Sequence, residues 1–435
     1  MLDHVPTTAR HHRAGPGPDS DPGPDLDHWV TPERSGPPRR RTRAAGRPAV
    51  RRGLTALVGA VLAVTCALPA AAAQTPTGRA HGDDHHTTQQ AMDEVVAAGV
   101  PGMVARSSGA RGTWAGHSGV ADLHTGAPRQ ADERYRVGSI TKTFIATVVL
   151  QLEGEGRLDL DDTVDHWLPG VVSGNGHDGT RIKLRQLLNH TSGIYSYTDD
   201  PEFMRLEFST DFLQHRYDTW TPERIAALAM SHPPYFDPGA GWHYSDTNYV
   251  LAGMIIERVT GRPYAREVER RILRPLHLDA TTLPGTSATM PQPSARAYSQ
   301  LTGKLGGQGA PGSPVYDVTS FNPSPADAAG EAISTAGDLN KFYRALLSGR
   351  LLKPEQLTEM TTTVSISPGS PYSYGLGLMK QQTSCGALWG HSGSIQGSIS
   401  HTRATAHGEH ALSFNVNSDW LGSYDQIFEA EFCGK

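Results

Sequence analysis

The chain has 435 residues, long enough for one large two-lobed unit or for two to three domains. Residues 1–53 carry ten Arg, no Lys and six acids, and 54–73 carry no charge, which leaves 29 basic against 38 acidic residues after them, a net −9. An acidic body without a basic stripe is a poor phosphate binder, so no nucleic-acid partner is expected.

In chain order, residues 1–53 are rich in Pro, Gly, Arg and Asp. They hold too few apolar side chains to offset the entropy of ordering, and read as a disordered basic extension. Leu54 to Ala73 is uncharged and apolar, preceded by Arg51-Arg52 and closed by Ala71-Ala72-Ala73. This predicts a Sec-type signal cleaved after Ala73, a secreted protein, and no membrane insertion once it is removed. The same stretch can span a bilayer, so anchoring through 54–73 is the alternative. Cys66 leaves with the signal. Cys385 and Cys433 remain, an even pair in an oxidising compartment, and are expected to be bridged.

A short helix is predicted over Gln89–Ala98, then a hairpin from Met103–Ser107 and Gly112–Val120. Phe144, Ile145, Val148, Val149 and Leu152 recur at spacings of three and four, which predicts a helix from Ser139 to Glu153 with one buried face. Lys183–Asn189 reads as a helix with Gly193 as its C-cap. Thr221-Pro222-Glu223 supplies an N-cap, a first-turn proline and an acid for a helix through Met230. Thr247–Val259 and Tyr264–Leu273 are two more helices. Residues 285–325, rich in Gly, Pro and Ser, predict a surface excursion of the kind that borders a cleft. Helices follow at Asp338–Leu347 and Pro354–Met360, then strands at Tyr374–Lys380, Ala387–His391, Ser398–Ala404 and His410–Val416, and a closing helix at Asp425–Phe432. The expected architecture is α/β (α+β). An antiparallel sheet flanked by helices forms from both chain ends, about 85–155 and 330–435, with a helical lobe of about 156–329 inserted.

The chemistry centres on Ser139-Ile140-Thr141-Lys142, the one S-x-x-K among seven lysines. A helix opening at Ser139 puts Lys142 one turn on and on the same side, at an N-terminus that favours negative charge. A serine nucleophile also needs a proton acceptor and an oxyanion site. Tyr244 lies in a glycine-bounded turn just before a helix, and a phenol serves as base when a cation such as Lys142 lowers its pKa. Trp389 to Gly397 places His391 beside Ser392, Gly393, Ser394 and Gln396, where the backbone can take a substrate as an added strand. His407-Gly-Glu-His410 reads as a surface turn. With no H-E-x-x-H, C-x-x-C or Walker loop, no metal or cofactor is expected.

S-x-x-K, then Tyr244-Ser-Asp246, then His391-Ser-Gly393, in that order, resembles the penicillin-recognising serine hydrolases, in the branch of the class C β-lactamases and secreted actinomycete D-alanyl-D-alanine carboxypeptidases. Leu187-Leu-Asn-His-Thr-Ser-Gly193, Tyr374-Gly-Leu-Gly-Leu378 and Glu431-Phe-Cys-Gly-Lys435 add to the likeness, which covers about 85 to 435. The resemblance implies a β-lactamase/transpeptidase-like fold and an acyl-enzyme on Ser139. Lys142 and Tyr244 would move the proton, with Tyr244 as base and later as acid, and the N–H groups of Ser139 and Ser394 would form the oxyanion hole. Asp246, His391, Ser392, Gly393 and Gln396 would bind substrate. The expected activity is D-alanyl-D-alanine carboxypeptidase, with small peptides, β-lactams and cell-wall peptidoglycan as partners. His391 stands where the K-T-G version has lysine, so its charge is expected to vary near neutral pH. Two departures bear on specificity. Asp246 replaces the usual Asn, and Met379, followed by Lys380, stands where carboxypeptidase relatives carry an arginine that grips the terminal carboxylate. An esterase, a D-amino-acid amidase or a β-lactamase would share the machinery. A non-catalytic penicillin-sensing or wall-binding module is the rival of another class, and the intact Ser139, Lys142 and Tyr244 argue against it.

Overall fold

The computed structural model describes residues 85–310, 312–420 and 424–434. The extension at 1–53, the apolar segment 54–73 with its cleavage site, and Cys66 lie outside the described residues. Among those described, no helix is long and apolar enough to cross a membrane.

Helix α1 (His86–Ala97) leads into the hairpin β1 (Gly102–Gly109) and β2 (Gly112–Gly119). Helix α2 (Thr141–Gly154) follows, and the inserted lobe contains α3 (Leu184–Leu188), α4 (Pro222–Met230) and α5 (Thr247–Thr260). After α6 (Ala336–Leu347) the chain forms β3 (Val364–Ser365), β4 (Tyr372–Tyr374), β5 (Met379–Thr383), β6 (Gly386–Ile395), β7 (Ser398–Ala404) and β8 (Ala411–Val416), then α7 (Asp425–Cys433). The eight strands form one antiparallel sheet in the order β2-β1-β8-β7-β6-β5-β4-β3. The first hairpin therefore joins the last strands edge to edge, with Met103 opposite Val416 and Ala105 opposite Phe414.

Period-two alternation sends alternate side chains to the two faces. On one face Met103, Ala105, Leu412 and Phe414 pack with Met92 and Val95 of α1 and Ile427 and Phe428 of α7. The other face carries α2 and α6, whose Phe144 and Phe342 rings stack at 3.9 Å. The spacing in α2 predicts one buried face, yet Thr143 and Thr147 on the opposite side are buried as fully as Thr141 on the apolar one. Each has a partner: Thr143 Oγ1 donates to Gly377 O at 2.7 Å, and Thr141 Oγ1 to Gly138 O at 2.7 Å. α2 is thus the central helix, enclosed by sheet and lobe together.

Two local expectations are corrected. Tyr374–Lys380 is not a continuous strand, because Gly375 to Leu378 reverses the chain between β4 and β5. Gly375 N–H donates to Leu378 O at 2.7 Å, and Gly377 adopts φ +68° where a Cβ would lie 2.5 Å from Ala146. The reversal after α3 begins at His190, which takes φ +63°, before Gly193 is reached.

Cys385 and Cys433 form a disulfide tying the β5–β6 turn to the end of α7. Two residues back, the Glu431 carboxylate is enclosed by His85 Nδ1 at 2.9 Å, His410 Nε2 at 2.8 Å and Thr88 Oγ1 at 2.8 Å. Burial would raise its pKa, but the His410, Ser107, His85 and Thr88 hydrogen bonds win and hold it at about 2. A carboxyl lowered in the folded state adds stability above its unfolded pKa and loses it as pH falls towards the folded value. The wild type should therefore lose up to about 3 kcal/mol between pH 5 and pH 2 through this group. Urea unfolding of Glu431→Gln should show a correspondingly flatter pH dependence.

Candidate active site

Ser139 lies in a single 3₁₀ turn, Gly138–Ile140, that runs into α2 rather than inside the α-helix itself. Close packing against β6 dictates this turn. A Cβ on Gly138 (φ +52°) would lie 2.7 Å from both N and O of Ser394, and one on Gly393 would lie 1.9 Å from Val137 O and 2.8 Å from Ser139 N. Glycine on each side lets the two backbones meet. The expected oxyanion donors, the N–H groups of Ser139 and Ser394, therefore belong to segments in direct contact.

Lys142 is fully buried one turn along, with Nζ 3.0 Å from Ser139 Oγ, 2.5 Å from Asp246 Oδ1 and 2.9 Å from Ala329 O. Asp246 and Ala329 O can accept two N–H bonds. The third direction faces the serine hydroxyl, with a proton there in the ammonium and a lone pair in the amine. Burial draws the ammonium pKa below its usual value, and Asp246 resists the change. The second Asp246 oxygen accepts from Thr198 Oγ1 at 3.1 Å, and its backbone N–H donates to Ser196 Oγ at 3.0 Å. The carboxylate that replaces the usual amide is thus absorbed into an ion pair.

Tyr244 is hydrogen-bonded to Ser139, and Lys142 Nζ stands 4.8 Å from its ring centre. The expectation of a lowered phenol pKa is corrected here. Burial first, and then the Asp246 carboxylate, push it well above the ordinary value.

His391 faces the same cleft, with its ring 6.5 Å from that of Tyr244. Nδ1 points at Ser392 O at 2.5 Å and must donate, so Nε2, 2.7 Å from Tyr374 Oη, accepts. Both nitrogens are used by the neutral ring. Burial, and then Lys142, pushes its pKa down to about 3. The expected change of charge near neutral pH is therefore not what the structure gives.

Two of the expected substrate contacts are corrected. Strand alternation turns Ser392 to the opposite face of the sheet, where its Oγ meets His401 Nδ1 at 2.8 Å and Arg403 Nη2 at 3.1 Å. Gln396 lies just past β6 and is buried, its amide donating to Glu207 O at 3.0 Å and Oε2 at 3.2 Å. Met379 pairs with Gly390 across the β5–β6 ladder, and Lys380 Nζ lies 5.6 Å from the Trp389 ring.

Reading the sequence alone misses His190, whose ring lies 4.2 Å from that of Tyr244, Asn248, whose amide lies 3.2 Å from His190 Nδ1, and Tyr374, hydrogen-bonded to His391. Their only sequence signal is membership of the Leu187–Gly193, Tyr244–Asn248 and Tyr374–Leu378 runs. Among the described residues, no cluster of three or more His, Cys, Asp or Glu could hold a metal ion. The site offers a serine hydroxyl, an amine that can take its proton, a protonated phenol and two backbone N–H groups.

The sequence profile of the Beta-lactamase family matches residues 87–419. A D-stereospecific amidohydrolase from Streptomyces sp. superposes with a TM-score of 0.76 at 57% identity, covering 81% of this chain and 99% of that one. The D-amino acid amidase of Ochrobactrum anthropi SV3, complexed with D-phenylalanine, does so with a TM-score of 0.69 at 31% identity, over 81% and 100%. Among curated sequences, penicillin-binding protein 4 of Amycolatopsis lactamdurans is 30% identical over 230 residues, 52% of this chain and 54% of that protein. The chain spans about half the length of the curated relatives it matches.

Proposed function

This chain belongs to the Beta-lactamase family as a serine hydrolase of the penicillin-binding-protein type, and on that premise we propose that it is a D-stereospecific amidohydrolase, cleaving D-amino-acid amides and esters through an acyl-enzyme. One observation carries the choice over a carboxypeptidase. The place where carboxypeptidase relatives carry an arginine for the terminal carboxylate is held by Met379, and His391, standing where the K-T-G version has lysine, is buried and neutral. The Asp246 carboxylate beside the nucleophile adds repulsion for a second anion. The likeness to a D-stereospecific amidohydrolase supports the same reading.

In this mechanism the two titratable groups divide the proton work according to how their pKa values are pushed apart. Lys142, lowered, takes the proton of Ser139 as Oγ attacks the carbonyl, and the Ser139 and Ser394 N–H groups stabilise the oxyanion. Tyr244, raised and therefore protonated, gives its proton to the leaving nitrogen, and Lys142 returns to the phenolate the proton it took from Ser139. Water then attacks the ester by the same route in reverse. A D-alanyl-D-alanine carboxypeptidase is the second reading, favoured by Lys380 as a cation on β5 and by the penicillin-binding relatives. The disulfide supports export through 54–73, and N-terminal sequencing of the exported protein should then begin at Gln74.

The deciding experiment compares D- and L-phenylalanine p-nitroanilide with diacetyl-L-lysyl-D-alanyl-D-alanine, alongside the intact mass of enzyme mixed with benzylpenicillin. A D/L ratio in kcat/KM of about 10² or more, with the tripeptide poorly cleaved, is expected. Preferential cleavage of the tripeptide with a lasting penicillin adduct on Ser139 would establish the carboxypeptidase instead.

Asp246→Asn tests the division of labour. Without the carboxylate, the pKa values of both Lys142 and Tyr244 fall. The whole bell of kcat/KM against pH should therefore move to lower pH by about one unit. A bell that stays in place would mean Asp246 does not tune either group.

A further inference from the structure

His190 is fully buried, yet the proton-transfer scheme above gives it nothing to do. Its contacts fall on either side of one residue. The backbone carbonyl of His190 accepts the N–H of His243 at 3.1 Å, and its Nδ1 accepts the N–H of Ser245 at 3.2 Å. The side-chain amide of Asn248 also lies 3.2 Å from Nδ1, and Asn248 Oδ1 is occupied by the Ser192 hydroxyl at 2.7 Å. Between those anchors the imidazole lies against the Tyr244 ring at 4.2 Å, with Tyr374 at 4.8 Å and Tyr249 at 5.5 Å behind it.

Two donors on Nδ1 fix the tautomer, with the lone pair at Nδ1 and the hydrogen at Nε2. Nε2 is buried with no hydrogen-bond partner among the described residues. Burial opposes a second proton most, and the nearby Lys142, His391 and His243 add to it, so the imidazole stays neutral. The left-handed backbone at His190 (φ +63°) is what turns both the carbonyl and the ring towards 243–245.

We propose that His190 is a positioning residue for Tyr244, a neutral clamp that grips the backbone on both sides of the tyrosine and backs its ring. It sets the phenol against Ser139 Oγ and Lys142. The proposal rests on the role of Tyr244 given above but not on the identity of the substrate.

The test therefore uses p-nitrophenyl acetate, whose turnover needs acylation of Ser139 and hydrolysis of the acyl-enzyme but no recognition of a D-amino acid, alongside D-phenylalanine p-nitroanilide. His190→Ala should lower kcat on both by about a hundredfold, the cost of misplacing a proton-transfer group by about an ångström. KM should stay within about threefold, and the alkaline limb of the pH profile assigned to Tyr244 should shift or vanish. His190→Asn tolerates the left-handed backbone and keeps an acceptor for Ser245 N–H, so it should recover at least about tenfold of the loss. If the alanine variant does not fold, Asn248→Ala, which removes one of the two donors on Nδ1, should show the same pH signature at smaller amplitude. A His190→Ala enzyme within about threefold of wild type with an unchanged pH profile overturns the proposal. So does an asparagine variant that falls as far as the alanine one. Wild type active on the acetate but not on the anilide overturns the amidohydrolase reading alone and leaves the His190 comparison standing.

Discussion

Lys142→Met is expected to lower kcat/KM for D-phenylalanine p-nitroanilide by about 10⁴-fold, since it removes the group that takes the serine proton. It should also destabilise the fold. Met fills the aliphatic space but leaves the Asp246 carboxylate facing Ser139 and Thr198 without its cation. For a fully buried pair that loss is about 3–5 kcal/mol, and the partial exposure of Asp246 reduces it to about 2 kcal/mol. The double variant Lys142→Met/Asp246→Asn separates the two effects. Urea unfolding should show most of the stability restored, while initial rates remain at the level of the single variant. Recovery of rate in the double variant would remove Lys142 from the mechanism. Failure to recover stability would mean the ion pair is not what Asp246 contributes to the fold.

Gly393→Ala should have the second largest effect, for a wholly steric reason. The added methyl would sit 1.9 Å from Val137 O and 2.8 Å from Ser139 N, both backbone atoms with no rotamer to change. Either β6 or the nucleophile turn must move, which parts the Ser139 and Ser394 N–H groups. The expected loss is about 10²- to 10³-fold in kcat with little change in KM, together with about 1–3 kcal/mol of stability. Ser392→Ala, one residue earlier, is the control. Its side chain lies on the other face with His401 and Arg403, so it should reduce stability by about 1 kcal/mol and leave kcat near wild type. A Gly393→Ala enzyme with wild-type kcat would show that the contact between these two backbones does not set the oxyanion site.

The sequence by itself determined whatever depends on short-range pattern. Apolar spacing over Phe144–Leu152 places α2, alternation broken at glycines places the β1–β2 hairpin, and Thr221-Pro222 opens α4 with Thr221 Oγ1 accepting the Arg224 N–H. The spacing of Ser139 and Lys142 alone brings amine to hydroxyl, because one helical turn fixes their distance whatever else the chain does. The order of the three motifs, with strands at both ends, was enough for the family and for a sheet closed by its termini.

Other features depend on contacts between residues far apart in the chain, and only the tertiary structure decided them. Gly393 reads as a small residue for substrate approach until Val137 is seen against it. Ser392 and His391 are neighbours in sequence, but the pleat assigns one to each face of the sheet. The pKa directions of Lys142 and Tyr244 follow from Asp246 at 2.5 Å and from enclosure by the lobe. Proton affinity is set by local dielectric and charge in three dimensions, so the assignment of base and acid could not be read from residue types. His391 is the clearest case. A surface imidazole titrates near neutrality, whereas this one, buried with Tyr374 on Nε2 and a carbonyl on Nδ1, does not.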